Sequence, residues 1–213
     1  MSHVRRLFAV IPAAGLSRRM GCPKLLLNLG GKSVMERLLQ ALNHPRITAR
    51  LVVVRGSDLP LQEEVLRWRG SLVIPPIDPP DMRSSVAAAI DEIDRQYAPV
   101  DDDGWLLVPA DHPVLDRQLI ETVLEHWIAK PSRILVPRCG QRRGHPTLFD
   151  WGLAREVARI PADRGLNWLL REYARDVTEL SVQSTAAITD LDTPEDFERL
   201  QRQWELSADA GVD

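Results

Sequence analysis

A segment near the amino end carries side chains whose types and spacing suit the binding of a polyphosphate. Residues 13–24 combine small residues with the cations Arg18, Arg19 and Lys24. Small residues let backbone N–H groups approach an anion, and arginine and lysine neutralise it. The spacing is neither that of a P-loop nor that of a dinucleotide fingerprint, because Lys24 follows Gly21 by three residues and precedes leucine. The segment predicts a phosphate site of another type, and a basic surface turn is the alternative.

A carboxylate later in the chain could supply a metal ion to such a site. Asp111 follows the apolar run 105–108 in the segment Pro109-Ala110-Asp111-His112-Pro113. A carboxylate at the end of a buried strand can hold Mg²⁺, which keeps most of its waters and bridges phosphate oxygens. An aspartate before a turn also commonly accepts hydrogen bonds from nearby backbone N–H groups. From the residues alone, both interpretations stay open.

Alternating strand and helix patterns must position these groups. Apolar runs predict strands at 7–11, 51–54, 71–74, 105–109, 134–136, 147–149 and 177–182. Amphipathic or capped segments predict helices at 33–42, 60–68, 84–96 and 116–128, and a last helix that begins at Pro194.

This alternation predicts an α/β fold with a single Rossmann-like, doubly wound, mostly parallel sheet and helices on both faces. In such sheets ligands bind at the carboxyl ends of the strands. We therefore expect the loops after residues 11, 54, 74 and 108 to surround one crevice. We expect one domain over residues 1–206 and a disordered tail at 207–213.

Composition limits the classes of partner. The chain has 213 residues, 44% of them hydrophobic and 27% charged, and a net charge of −3, so nothing favours nucleic acid or an anionic membrane. No segment has the 18 apolar residues that would indicate a membrane span. Two cysteines, Cys22 and Cys139, without a C-x-x-C pair indicate neither a disulfide framework nor a zinc site, and fit a cytoplasmic protein.

The residues Ala13, Ala14, Gly15, Ser17, Arg19, Met20, Gly21 and Lys24 match the pattern L-A-[AG]-G-x-S-x-R-M-G-x-x-K, with Pro12 in place of leucine. On this match the chain resembles the MobA-like nucleotidyltransferases, and within them most closely the molybdenum cofactor cytidylyltransferases. The resemblance implies a fold of the nucleotide-diphospho-sugar transferase type. It also implies transfer of NMP, with CTP favoured, to molybdopterin or a similar phosphate-bearing acceptor with release of pyrophosphate.

Site residues follow from the same resemblance. Arg19, Lys24 and Asp111 would be catalytic, and Asp111 with Asp192 would bind Mg²⁺. His145, in the segment Gly-His-Pro-Thr-Leu-Phe, would contact the acceptor. Nucleotide contacts would come from Ala13, Ala14, Gly15, Ser17, Arg19, Lys24, Ser84 and Ser85.

The chain departs from the family pattern at several positions. Pro75 stands where the family has an asparagine, carboxylates at Asp78 and Asp81 replace a tryptophan and a glycine, and Asn167 stands where the family has an arginine. CTP is preferred over GTP because Ala14 replaces a glycine of the guanylyl branch. A molybdoenzyme or its maturation factor would be a protein partner. Two other classes stay open, an NAD(P)H-dependent oxidoreductase on the same scaffold and a non-catalytic nucleotide-binding accessory protein.

Overall fold

Strand β1 (Leu7–Pro12) lies inside an eight-stranded sheet in the computed structural model, which describes residues 5–209. The other strands are β2 (Asn28–Leu29), β3 (Lys32–Ser33), β4 (Ile47–Val53), β5 (Ser71–Val73), β6 (Gly104–Leu107), β7 (Ile134–Cys139), β8 (Arg142–Arg143), β9 (Thr147–Asp150) and β10 (Val177–Ser181). The α-helices are α1 (Val34–Ala41), α2 (Leu59–Arg67), α3 (Met82–Tyr97), α4 (Arg117–Ala129), α5 (Asn167–Glu172) and α6 (Pro194–Asp209).

The order of strands across the sheet is β5-β4-β1-β6-β9-β7-β10, and β8 pairs with β7. Strands β4 and β6 both pair with β1 in parallel, β5 pairs with β4 in parallel, and β10 pairs with β7 in parallel. Strand β9 is antiparallel to both β6 and β7. The predicted doubly wound, mostly parallel sheet is confirmed. Strand β9 is antiparallel because the chain turns back after β7, passes through β8 and then runs beside β7.

Side chains alternate between two hydrophobic clusters along β1. Leu7, Ala9 and Ile11 pack into one cluster with residues of α1, α2 and α4, whereas Phe8 and Val10 pack into the other with residues of α3. Successive side chains of a strand point to opposite faces, so a wholly apolar strand requires cover on both sides. The apolar run of β1 thus accounts for helices on both faces of the sheet.

Local sequence signals begin several helices. The side chains of Ser33, Asp58, Asp81 and Asp116 accept hydrogen bonds from backbone N–H groups in the first turns of α1 to α4. Such bonds satisfy donors that a helix leaves unpaired at its start. The predicted helix starts therefore lie within two residues of those observed.

The sequence patterns do not predict the short hairpin of β2 and β3 or strand β8, and a 3₁₀ helix at Trp151–Arg159 follows β9. Helix α6 includes the first residues of the predicted tail, and residues 210–213 lie outside the described part of the chain. The predicted boundary at 206 stays a prediction. Among the described residues, no helix is long and apolar enough to cross a membrane.

Candidate functional site

The loops at the carboxyl ends of four strands surround one cleft of about 590 Å³. They follow β1, β4, β5 and β6, as the sequence predicts. The lining residues are Pro12, Ala13, Ala14, Gly15, Leu16, Ser17, Arg18, Arg19, Lys24, Leu25, Arg55, Pro79, Pro80, Asp81, Met82, Ser85, Ala110, Asp111 and Asp192. Strand β1 pairs with β4 on one side and with β6 on the other, so the direction in which strands are added to the sheet reverses beside β1. The cleft lies at this reversal.

Lys24 is the centre of the polar contacts in the cleft. Its Nζ atom donates to Oδ2 of Asp111 at 3.0 Å, to Oδ1 of Asp192 at 3.0 Å and to the carbonyl oxygen of Leu191 at 2.8 Å. The side chain is only 15% exposed. Three charge-assisted contacts use the three donors of the ammonium group. Residues separated by 168 positions in the sequence thus meet at one nitrogen.

Arg19 joins the same group from the solvent side. Its Nη2 atom lies 2.9 Å from Oδ2 of Asp192, and its side chain is 71% exposed. The loop before it turns sharply at Ser17, which has a φ of 49°, and the N–H of Met20 donates to the carbonyl of Ser17 at 3.0 Å. The structure therefore brings Arg19, Lys24 and Asp111 together, within reach of one ligand.

Asp192 is held in place by the start of α6. Oδ2 of Asp196 accepts hydrogen bonds from the N–H groups of Asp192 and Thr193 and from the hydroxyl of Thr193. The N–H of Leu191 donates to the carbonyl of Asp111 at 2.8 Å, which joins the two acidic segments directly. The N–H of Asp196 donates in turn to the hydroxyl of Thr193, so this segment can cap α6 and also place Asp192 beside Asp111.

Most of the remaining predicted nucleotide contacts line the cleft, and one does not. Those that line it are Ala13, Ala14, Gly15, Ser17 and Ser85.

Ser84 does not line the cleft. Its N–H and its hydroxyl both donate to Oδ1 of Asp81 at 2.7 Å, which also lowers the pKa of that carboxyl below its usual range. Ser84 therefore contributes to the cap of α3, because the carboxylate that replaces the family's glycine uses both of its donors.

His145 also lies outside the residues that line the cleft. Its ring packs edge-on against that of His112, with 5.1 Å between the ring centroids. Burial, and then the charge of His112, lowers the pKa of His145 to about 4, so the ring is neutral at pH 7. The side chain is half-buried and contacts the loop of Asp111 through His112, and its contact with an acceptor stays a prediction.

Arg55 is a cleft residue that the sequence patterns did not indicate. Its Nε atom donates to the carbonyl of Ala14 at 2.7 Å, and its Nη1 atom lies 3.4 Å from Oδ2 of Asp78. It lies two residues after the end of β4, and its position at a strand's carboxyl end was the one available signal. The other predicted departure, Asn167, is the first residue of α5 and does not line the cleft.

The charges of the cleft nearly cancel without a ligand. Four cations (Arg18, Arg19, Lys24 and Arg55) and three carboxylates (Asp81, Asp111 and Asp192) line it. The chain as a whole has a net charge of −3, so this small positive excess is local. A polyphosphate that brings its own divalent cation would supply both partners that the separated charges require.

Asp111 and Asp192 fit a magnesium ion as a two-carboxylate site. Their contacting oxygens are each 3.0 Å from the same nitrogen, so the two oxygens lie no more than twice that distance apart. The described residues contain no cluster of three or more histidine, cysteine or acidic side chains that could hold a metal. Mg²⁺ commonly takes one or two carboxylates and completes its shell with water and substrate phosphate. This donor set suits that pattern.

This chain is similar to known proteins in sequence and in fold. A family model described as the MobA-like NTP transferase domain matches residues 9–177. A 53-residue stretch is 45% identical to 2-C-methyl-D-erythritol 4-phosphate cytidylyltransferase of Salmonella arizonae, over 24% of this chain and 22% of that enzyme. The match thus spans under a quarter of this relative.

Two solved structures share the fold over nearly the whole chain. One is a homologue, from Mycobacterium sp. strain JC1, of Mycobacterium tuberculosis Rv0371c, with 25% identity and a TM-score of 0.74 over 95% of this chain and 99% of that one. The other is Rv0371c of M. tuberculosis in complex with manganese, with 24% identity and a TM-score of 0.73 over 92% and 98% of the two chains.

Proposed function

Because this chain belongs to the MobA-like NTP transferase domain family and is on that ground a nucleotidyltransferase, we propose that it is a Mg²⁺-dependent cytidylyltransferase. It moves CMP from CTP to a terminal phosphate of molybdopterin or a similar acceptor and releases pyrophosphate. The observation that supports this most directly is the meeting of Lys24, Arg19, Asp111 and Asp192 at one end of the cleft. These groups supply the cations for a triphosphate and the carboxylates for its counter-ion.

The reaction is an in-line displacement at the α-phosphorus of the nucleotide. An oxygen of the acceptor phosphate forms the new P–O bond, the bond to the bridging α–β oxygen breaks, and its electrons leave with pyrophosphate. The acceptor phosphate is already an anion at neutral pH, so no general base is needed. Lys24 and Arg19 stabilise negative charge on the triphosphate as it develops. Mg²⁺, held by Asp111 and Asp192, would supply further neutralisation of phosphate oxygens.

Lys24 changes partners when nucleotide enters. In the ligand-free protein its ammonium group neutralises the two carboxylates. A triphosphate offers this group new acceptors and brings a divalent cation for the carboxylates. The exchange replaces each ion pair with another, so no charge is left unpaired in the partly buried site.

The choice of CTP rests on two observations. Ala14 stands where the guanylyl branch of the family has a second glycine, and the Salmonella relative is named as a cytidylyltransferase. That relative's name also contains a phosphate-bearing acceptor. An acceptor of that class, alongside molybdopterin, therefore belongs in any activity test.

Domain organisation and compartment form part of the same proposal. We assign residues 1–206 to a single nucleotidyltransferase domain, since the family match covers residues 9–177 and one sheet takes in strands from β1 to β10. Cys22 and Cys139 are both free and half-buried, which suits the reducing cytoplasm. A molybdoenzyme or its maturation factor would receive the nucleotide-bearing cofactor.

The test is pyrophosphate release by the purified protein with CTP, GTP or ATP, Mg²⁺, and either molybdopterin or 2-C-methyl-D-erythritol 4-phosphate. We expect release with CTP that depends on one acceptor and on the metal. Release with the erythritol phosphate alone would replace the proposed acceptor. Oxidation of NAD(P)H without pyrophosphate, or tight binding of nucleotide without turnover under every acceptor, would contradict the transferase.

Lys24→Ala and Asp111→Ala test where the chemistry occurs. Loss of one preorganised charge partner costs roughly 2.7–4 kcal/mol in the transition state, so each variant should turn over at least about a hundredfold more slowly. Lys32→Ala is the matched control, because Lys32 is exposed, its ammonium donates to Gln40 on the surface of α1, and it is not among the residues that line the cleft. Near-normal turnover in either cleft variant would move the reaction away from this cleft.

A further inference from the structure

Arg55 connects three of the loops that form the cleft. Its side chain donates to the carbonyl of Ala14 in the loop after β1 and pairs with Asp78 in the loop after β5. Its own backbone carbonyl accepts a hydrogen bond from Nε2 of Gln62 at 2.8 Å, which anchors the loop after β4 to α2. The side chain is 22% exposed, so most of the guanidinium lies within the wall of the cleft.

The position of Arg55 places it away from the phosphate-binding end. Asp111 follows β6, whereas Arg55 follows β4, on the other side of β1. Neighbouring strands are about 4.8 Å apart, so the width from β6 to β5 is on the order of 14 Å. If the triphosphate lies at Lys24 and Asp111, as the proposed function requires, then the nucleobase lies toward β4 and β5, beside Arg55.

The bond from Arg55 also orients a backbone donor. A trans peptide is planar, so fixing the carbonyl of Ala14 fixes the direction of the N–H of Gly15. Both residues line the cleft, and a Cβ atom built on Gly15 would meet no atom within 4 Å. The loop backbone is therefore open to the cleft, and its direction depends on Arg55.

We propose that Arg55 is a positioning residue that sets the nucleobase selectivity of this cleft. It holds the Ala14–Gly15 peptide and the loop of Asp78 at a fixed separation, so that one base fits between them. The proposal rests on the proposed function for the direction of the bound nucleotide. It adds a residue that the family motifs do not contain, and it gives Asp78, which departs from the family pattern, a role as the partner of Arg55.

Arginine is needed at this position because its donors form a rigid planar fork. One edge of the guanidinium reaches the carbonyl of Ala14 while another nitrogen faces Asp78. A lysine ammonium keeps the charge but cannot present donors in two fixed directions from one plane. Arg55→Lys should therefore preserve the pairing with Asp78 better than it preserves the orientation of Ala14.

The experiment measures the dissociation constants of CTP, GTP and ATP with Mg²⁺ by calorimetry, which requires no acceptor. We expect Arg55→Ala to weaken binding of CTP about tenfold or more, since the Ala14–Gly15 peptide is then no longer held in one orientation before the nucleotide binds. The preference among the three bases should largely disappear. Asp78→Asn should have a smaller effect in the same direction, and Arg55→Lys an intermediate one.

Arg50→Ala is the matched control. Arg50 lies on β4, the strand that precedes Arg55, and its guanidinium donates to the carbonyls of Leu39 and Arg69, outside the cleft. We expect this variant to lower the unfolding temperature while it leaves the base preference unchanged. A role for Arg55 in stability alone would give the same result as this control.

Base preference that survives in Arg55→Ala overturns the inference, even if the variant is less stable. If that variant does not fold, the selectivities of Arg55→Lys and Asp78→Asn decide in its place. Failure of the proposed function has a different signature, because the wild-type protein would then bind no nucleoside triphosphate, and that result overturns both.

Discussion

At the scale of single residues, Lys24 lies against the same two carboxylates that would neutralise a divalent cation. The ammonium of Lys24 bonds to both candidate metal ligands, Asp111 and Asp192. Two cations cannot share these oxygens favourably, because like charges a few ångströms apart in a partly buried site repel by on the order of 4 kcal/mol at an effective dielectric constant of 20. Metal and nucleotide should therefore bind together, with each favouring the other.

Lys24→Met tests this competition directly. We expect this variant to bind Mn²⁺ at least about tenfold more tightly than wild type in the absence of nucleotide, since the competing charge has been removed. Electron paramagnetic resonance of free Mn²⁺ measures the affinity without any activity assay. Lys32→Met is the control, and equal Mn²⁺ affinity in Lys24→Met and wild type would show that Lys24 does not compete for the site.

At the scale of secondary-structure elements, the segment before β9 supports the loop of Asp111 through two histidines. His112 is 7% exposed, and its ring packs against His145. Burial, as the largest cause, lowers the pKa values of both rings. Both rings are thus neutral when the protein is folded at pH 7, and the contact is an uncharged one.

The stability of this contact should depend on pH. The pKa of His145 is about 4 in the folded protein and about 6.5 in an unfolded chain. The unfolded state therefore binds the proton more readily, so the contribution is present above pH 6.5 and is lost as the pH falls through 4. We expect the free energy of unfolding in urea to fall between pH 7 and pH 4.5, and to fall less in His145→Gln. An equal decrease in both proteins would assign the pH dependence to other groups.

At the scale of the whole molecule, the two ends of the sheet have different roles. The carboxyl ends of β1 and β6 form the cleft, while their amino ends are joined by an ion pair. Oδ2 of Asp103, a residue with 0% exposure, accepts from Nη2 of Arg6 at 2.7 Å, and its Oδ1 atom accepts from the N–H of Arg6 at 2.8 Å. We expect this ion pair to contribute to stability and not to ligand binding, since it lies at the end of the sheet opposite to the cleft.

Asp103→Ala should separate stability from function. The substitution removes the carboxylate that accepts hydrogen bonds from the N–H groups of Arg6 and Val100 and from the Arg6 guanidinium, and each buried donor left unpaired costs about 1–3 kcal/mol. We expect a large decrease in the midpoint of urea unfolding, whereas the folded variant should bind CTP with the affinity of wild type. Asp102→Ala is the control, because Asp102 is exposed and lies 3.8 Å from Arg5. A loss of CTP affinity in folded Asp103→Ala would show that the two ends are coupled.

The sequence by itself determined the fold and singled out the segment that we propose binds phosphate. Apolar runs such as 7–11 and caps such as Ser33 act through local periodicity and nearby backbone groups, which one sequence displays directly. The rule that ligands bind at the carboxyl ends of parallel strands then predicted which loops would meet. Only the tertiary structure decided which side chains face the cleft. Lys24 meets Asp192 across 168 positions, Arg55 reaches back to Ala14, and Asp81 turns Ser84 toward the start of α3. His145 lies in a segment that resembles a family motif, but its ring packs against His112, outside the residues that line the cleft. These outcomes depend on distances between residues remote in sequence, and on competition among donors for one acceptor, which no local pattern records.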